Sequence, residues 1–265
     1  MHASAATGDL GDYRGDPTPP MTLAELLAAL KGVEGWFSPD QVARLAERAA
    51  AVQPGGRIVE IGSFRGRSTI AIARSAPPGV EIVAVDPHAG TDRGPQEIDG
   101  LAAAAAEDHD AFLANLDRAG VRDRVTYVRM FSHEALNEMP GPVDLLHIDG
   151  AHRFTPARAD IRHWGARVAP GGTMLIHDAF SSVGVTAAIA AELLVSDGWR
   201  YASRSRSLAE YRKQRVAGAA RLANVGRQLV QLPWFTRNLA IKALIVARLG
   251  KVARLLGHDG ATWPY

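Results

Sequence analysis

Between Gly55 and about Arg212, short apolar runs alternate with stretches in which apolar positions recur every three or four residues. The short runs read as strands over 57–61, 81–85, 125–128, 143–148 and 173–176. Helices are expected between them over 67–75, 101–119, around Glu134, over 156–168 and over 183–195. Strands that alternate with helices predict an α/β fold, a mostly parallel sheet with helices on both faces. Short strands near Trp199–Ala202 and Leu208–Tyr211 would close one edge. Two helices come first. Thr22 caps one over 23–30, and Ser38-Pro39-Asp40 opens another that runs to about Ala51. Pro39 falls at its first position, where a missing N–H costs nothing.

Outside this block the pattern changes. Residues 1–20 are rich in Gly, Asp, Thr and Pro, lack apolar periodicity and read as a mobile leader. Beyond Arg212 the chain is helical and basic. At 100° per residue, Ile241, Ile245, Leu249, Val252 and Leu256 share one face, and Arg237, Arg248, Lys251 and Arg254 share the other. Lys242 falls on the apolar side. Over 235–256 this pattern suits a helix lying in a membrane interface; a helix packed on a core or on a second copy in a homodimer has the same pattern. The expected organisation is a leader over 1–20, a sheet domain over 21–211 and a basic extension over 212–265.

Composition narrows the class. The chain has 265 residues, 47% hydrophobic and 22% charged, enough to bury a globular core. It has no cysteine, which excludes disulfides, thiolate metal sites and cysteine nucleophiles. The first thirty residues hold no basic start followed by an apolar run, and no stretch of about twenty apolar residues occurs. A cytoplasmic protein is expected, peripheral to a membrane if the extension meets one. The net charge of +2 hides an asymmetry: Ser196 to Tyr265 holds thirteen Lys/Arg against three Asp/Glu, so the rest of the chain is acidic. A basic tail on an acidic body suits an anionic partner, phospholipid or nucleic acid, or a helical face packed on that body.

In an open parallel sheet, ligands bind beyond the carboxyl ends of the strands. Residues 60–66, 86–90, Ser132, 149–152 and 177–178 fall there. Gly62 and Gly66 frame a loop that lets a ligand approach bare backbone. The loop is neither G-x-G-x-x-G nor G-x-x-x-x-G-K, so it is neither a dinucleotide fingerprint nor a P-loop. Glu60 puts an acid beside it, which would repel phosphate and suit an ammonium group. Asp86 ends the second strand, where an acid can accept hydrogen bonds from ribose hydroxyls. A cationic amino-acid nucleoside meets both demands, and S-adenosylmethionine is one.

Five pieces in order carry a resemblance: E-I-G-S-F-R-G-R-S-T, V-D-P-H, F-S-H-E, D-L-L-H-I-D-G-A-H and P-G-G-T-M-L-I-H-D. Over about Gly55 to Asp178 the sequence resembles the class I S-adenosylmethionine-dependent methyltransferases. It is similar in particular to small O-methyltransferases acting on macrolide sugars, catechols and mycobacterial polysaccharides. The resemblance implies cofactor contacts at Glu60, Gly62, Ser63, Gly66, Ser68, Asp86 and Asp149, with Ser132 and His133 near the adenine. It also implies magnesium held by Asp149 and Asp178, although Ala179 stands where a third acid would be; two carboxylates and water would have to suffice.

An alcohol must lose its proton as it attacks the sulfonium methyl, and a neutral imidazole suits that role. His152 is the candidate base with Asp149 as partner; alternatively His152 caps the following helix. His177 is expected to hydrogen-bond a neighbouring loop, His147 to be a satisfied core residue, and Asp160, His163 and Trp164 to serve packing or surface roles. Glu34-Gly35-Trp36-Phe37 could form a lid over the cofactor or a hydrophobic staple. His88 and the Gly-rich run to Gly94 would fall in an acceptor loop. The function implied is methyl transfer to a hydroxyl of a sugar, glycan or glycolipid. The alternatives are a phenolic or polyketide acceptor, or a non-catalytic binding module of the same fold. With 6% aromatics, the composition leans towards carbohydrate. No N-P-P-Y-type motif for a flipped base follows the fourth strand, so nucleic acid is not the expected acceptor.

Overall fold

The computed structural model describes residues 21–89 and 101–257. The leader expected over 1–20 and the Gly-rich run over 90–94 lie outside the described residues. Helices α1 (Leu23–Ala29) and α2 (Pro39–Ala50) precede strand β1 (Arg57–Ile61). Then follow α3 (Arg67–Ser75), β2 (Glu81–Val85), α4 (Leu101–Arg118), β3 (Val125–Val128), α5 (Ser132–Glu138), β4 (Val143–Ile148), α6 (Phe154–Arg167), β5 (Val168–Ile176) and α7 (Val183–Glu192). A hairpin, β6 (Trp199–Ser205) and β7 (Leu208–Lys213), closes the sheet. Thr22 and Glu25 form the capping box of α1, each side chain accepting the other's backbone N–H.

The strand order is β3-β2-β1-β4-β5-β7-β6. The first five strands are parallel, and β7 runs antiparallel to both β5 and β6. Strand β5 starts five residues before the expected 173. Val168 already pairs with Val143, and the register slips before Leu145 meets Thr173. Alternation along β1 sends Ile58 to one core and Val59 to the other. The chain turns from β1 outward through β2 and β3, then returns to place β4 on the opposite side of β1. That reversal opens a crevice at the carboxyl ends of β1 and β4.

The extension folds onto this domain as α8 (Gly218–Leu229), α9 (Leu232–Val246) and α10 (Gly250–Leu255). The fully buried Asn224 of α8 serves the outer edge of β6: its Oδ1 accepts from Tyr201 N–H at 2.8 Å, and its Nδ2 donates to the Trp199 carbonyl at 3.0 Å. One side-chain amide thus stands in for a missing strand. The continuous helix implied by the 235–256 stripe does not form. Arg248 adopts a left-handed φ of 61°, α10 folds back along α9, and Arg237 Nε donates to the Leu256 carbonyl at 2.7 Å. Ile241 is buried. Lys242 sits on its side of α9 because its ammonium reaches the Ser181 carbonyl at 3.0 Å.

Asn224→Leu should leave two buried backbone groups unpaired and cost on the order of 3 kcal/mol. Urea denaturation of the variant against the wild type measures this.

Candidate functional site

The β1–α3 loop is fixed by its own backbone and by one carboxylate. Gly62 and Gly66 have φ near +85° (85° and 86°), which favours glycine. A Cβ on Gly62 would collide with the Asp149 carbonyl and come within 2.7 Å of Gly150 Cα. Asp86 Oδ2 accepts from the N–H groups of Ser63 (2.8 Å) and Phe64 (2.9 Å), and Oδ1 accepts from His88 N–H at 2.8 Å. Three of about four acceptor positions are therefore occupied, leaving one for a hydroxyl. The Ser63 hydroxyl is buried without a hydrogen-bond partner, and Ser68 is buried in the first turn of α3.

Several candidates have other work. Glu60 does not face the loop; it shares a side of β1 with Ile58 and is 1% exposed. Its carboxylate accepts from the Thr69 hydroxyl and lies 3.2 Å from His147 Nδ1. The ammonium-binding role expected of it has no exposed acid to perform it. His147 is a core residue, as its place within a strand suggested, but it is only half satisfied, since its Nε2 is buried with no hydrogen-bond partner. His88 is buried too, with Nε2 2.7 Å from the Phe64 carbonyl and Nδ1 2.6 Å from the Tyr127 hydroxyl. It braces the loop from within the fold.

Ser132 and His133 open α5 and line a cavity of about 490 Å³ together with Arg153, Phe154, Pro156 and Asp160. Asp160 accepts from the Ser132 hydroxyl at 2.5 Å, and the Trp164 indole donates to the Ser132 carbonyl at 3.1 Å. Both residues hold this wall in place.

At the ends of β4 and β5 two acids and two imidazoles meet. His152 Nε2 lies 2.8 Å from Asp178 Oδ2, and His177 Nδ1 lies 3.0 Å from Asp149 Oδ1 and 3.6 Å from Asp178 Oδ2. The carboxylate partner of His152 is therefore Asp178, and Asp149 belongs with His177. Asp178 and Phe180 both take a left-handed φ of 56°. His177, expected to serve a neighbouring loop, is central instead.

Three features here escaped the sequence reading. Gln41 of α2 is buried, and Ser38 N–H donates to its Oε1 at 2.8 Å. That fixes the amide so that Nε2 faces Ser207 Oγ at 3.0 Å and His177 Nε2 at 3.2 Å. His177 Nε2 meets that amide, which sets the ring with Nδ1 on the side of Asp149 Oδ1. Gly184 is the second feature: a Cβ there would lie 2.8 Å from Phe154 N and collide with the His152 carbonyl, so only glycine lets α7 pass beneath the His152 loop. The third is the hold of α9 on the turn after β5: Asn238 Nδ2 donates to the Phe180 carbonyl at 3.2 Å, and Lys242 to that of Ser181. Glycine at the start of α7 was a visible signal; the other two depend on distant segments.

Over the crevice, Phe37 stacks on His177 with ring centroids 4.8 Å apart, and the half-exposed Trp36 stacks on Phe64 at 5.2 Å. The segment thus packs against the β1–α3 loop and the turn after β5.

Asp149, His152 and Asp178 present ligand atoms within 4.8 Å of one another. Magnesium demands near-octahedral oxygen ligation, and imidazole suits softer ions. Here the third-acid position is the buried Ala179, and each carboxylate already has an imidazole at hydrogen-bond distance. The donor set does not fit the magnesium site that the resemblance implied.

Residues 59–179 match a family described as a methyltransferase domain. Among solved structures, cofactor-bound Rv0187 from MTB is 23% identical, with a TM-score of 0.51 over 72% of this chain and 88% of that one. A Corynebacterium glutamicum protein is 16% identical, with a TM-score of 0.54 over 74% and 90%. The O-methyltransferase NovP is 15% identical, with a TM-score of 0.53 over 67% and 81%. These structures share the fold.

Burial lowers the His152 pKa, but the hydrogen bond and charge of Asp178 outweigh it and raise the value above 6.5. The folded chain thus holds this proton more tightly than the unfolded chain. The stability it contributes is complete below about pH 6.5 and is lost as pH rises through the folded value. Asp178→Asn should lower the His152 pKa in an NMR titration and flatten the fall of melting temperature above pH 6.5.

Proposed function

We propose that this chain is a class I S-adenosylmethionine-dependent O-methyltransferase acting on a hydroxyl of a sugar, glycan or glycolipid, with His152 as base. The observation that carries the reading is the 2.8 Å pairing of His152 with Asp178 beyond the ends of β4 and β5. The glycine cradle at Gly62, the unpartnered Ser63 hydroxyl and the remaining acceptor position on Asp86 suit the amino-acid and ribose portions of the cofactor. Ser132 and His133 line the cavity suited to its adenine.

When bound, the cofactor supplies a sulfonium methyl group open to in-line displacement by an oxygen nucleophile. Asp178 accepts from His152 Nε2–H and so leaves the ring lone pair on Nδ1, the nitrogen that takes the acceptor's proton. Asp178 then steadies the imidazolium that forms. Asp149, oriented by His177 and through it by Gln41, can accept a hydrogen bond from the acceptor hydroxyl and position it. Positioning and proton removal together account for the catalysis, and no step requires magnesium. Trp36 offers an apolar face beside the loop, on which the C–H face of a sugar ring can pack.

The test is transfer of labelled methyl from S-adenosylmethionine to a panel of saccharides, glycolipids and phenols. Label should appear on saccharide or glycolipid hydroxyls, and His152→Gln should slow transfer by about 10²-fold or more. Transfer to phenols alone, or an unchanged rate in the variant, would contradict the reading. Saturating magnesium should raise the melting temperature by less than about 1 °C, since an ion that does not bind cannot stabilise by mass action.

A further inference from the structure

We infer that the α9–α10 hairpin is a docking surface for an anionic phospholipid bilayer. Residues 218–257 contain seven Lys/Arg and no Asp or Glu. The inward side of the hairpin is already used: Asn238 and Ile241 are buried, Lys242 reaches Ser181, and Ala253 of α10 is buried. What points away is therefore not unpacked core. Within eleven residues it comprises Val246 (71% exposed), Leu249 (49%), Val252 (44%), Leu255 (85%) and Leu256 (38%). Arg248, Lys251 and Arg254 lie among them, all exposed.

Aliphatic side chains in that density, on helices whose residues include cations and no Asp or Glu, match the two needs of an interfacial helix. The apolar groups enter the acyl boundary while the cations stay at the headgroups. Each cation near an anionic surface adds about 1 kcal/mol. The other candidate partners fit less well. A nucleic acid would use the cations but leave five aliphatic side chains in water. A second copy pairing through this face would bring like charges together with no acid to offset them. No helix among the described residues is long and apolar enough to cross a membrane, so the contact is a surface one. The inference does not rest on the proposed reaction, but it deepens it: a protein held there would meet a membrane-borne acceptor.

The test is flotation of the full chain with phosphatidylcholine vesicles, with and without phosphatidylglycerol. Binding should be about ten-fold or more tighter to the anionic vesicles. Leu255→Glu, and separately the triple change Arg248→Gln, Lys251→Gln and Arg254→Gln, should each weaken it by about ten-fold or more. All of these positions are exposed, so the melting temperature and S-adenosylhomocysteine affinity should not change; those two readouts report the fold and the cofactor reading independently. Equal binding to both vesicle types, or binding to neither, would overturn the inference. So would a dimer that Leu255→Glu dissociates, or duplex DNA binding that the triple change abolishes without any vesicle binding.

Discussion

Where β1 and β4 leave the sheet, their backbones run so close that no side chain fits between them. Gly62 occupies that point, with the Asp149 carbonyl and Gly150 against the place a Cβ would fill. Hydrogen bonds extend the ladder past the strand ends: Gly62 N–H to Val85, Asp149 N–H to Ile61, and His177 N–H to Ile148. The loop suited to the cofactor and the loop carrying the acids therefore share one rigid seam. Gly184 repeats the device under the His152 loop. Two bare backbone positions set the distance between the β1–α3 loop and the candidate base.

On that seam, charge does the remaining positioning. Asp149 and Asp178 alternate with His177 and His152, so each acid has an imidazole as neighbour. In an arrangement with a third acid, a divalent cation would neutralise the cluster. Here the third-acid position holds the buried Ala179, and imidazoles take up that charge balance. Gln41 fixes the orientation of one imidazole and Asp178 that of the other. The turn bearing Asp178 is held in turn by Asn238 and Lys242. The extension is thus mechanically continuous with the site while presenting its outer face elsewhere.

Much of this was legible in the sequence. The change of period between strands and helices located every strand of the sheet, and the strand-end rule brought Asp86, Asp149, His152 and Asp178 to one edge. Glu60 was misread because its nearness to the loop was weighed above the alternation that pairs it with Ile58. The partner of His152 was misassigned because left-handed backbone at Asp178 is imposed by packing, which no local pattern announces. The wheel over 235–256 assumed an unbroken helix; the turn at Arg248 broke it, and contact with Ser181 explained the misplaced Lys242. Gln41 lies 136 residues from His177 in the chain, and its role exists only once α2 has packed on the sheet.

The most direct measurement is calorimetric titration of the full chain with S-adenosylhomocysteine, beside the Asp86→Ala variant. The account predicts micromolar binding to the wild type and at least a ten-fold loss in the variant, which forfeits both a ribose acceptor and the anchor of the Ser63–Phe64 backbone. Absence of binding to folded wild-type protein, or equal affinity in the variant, would contradict it.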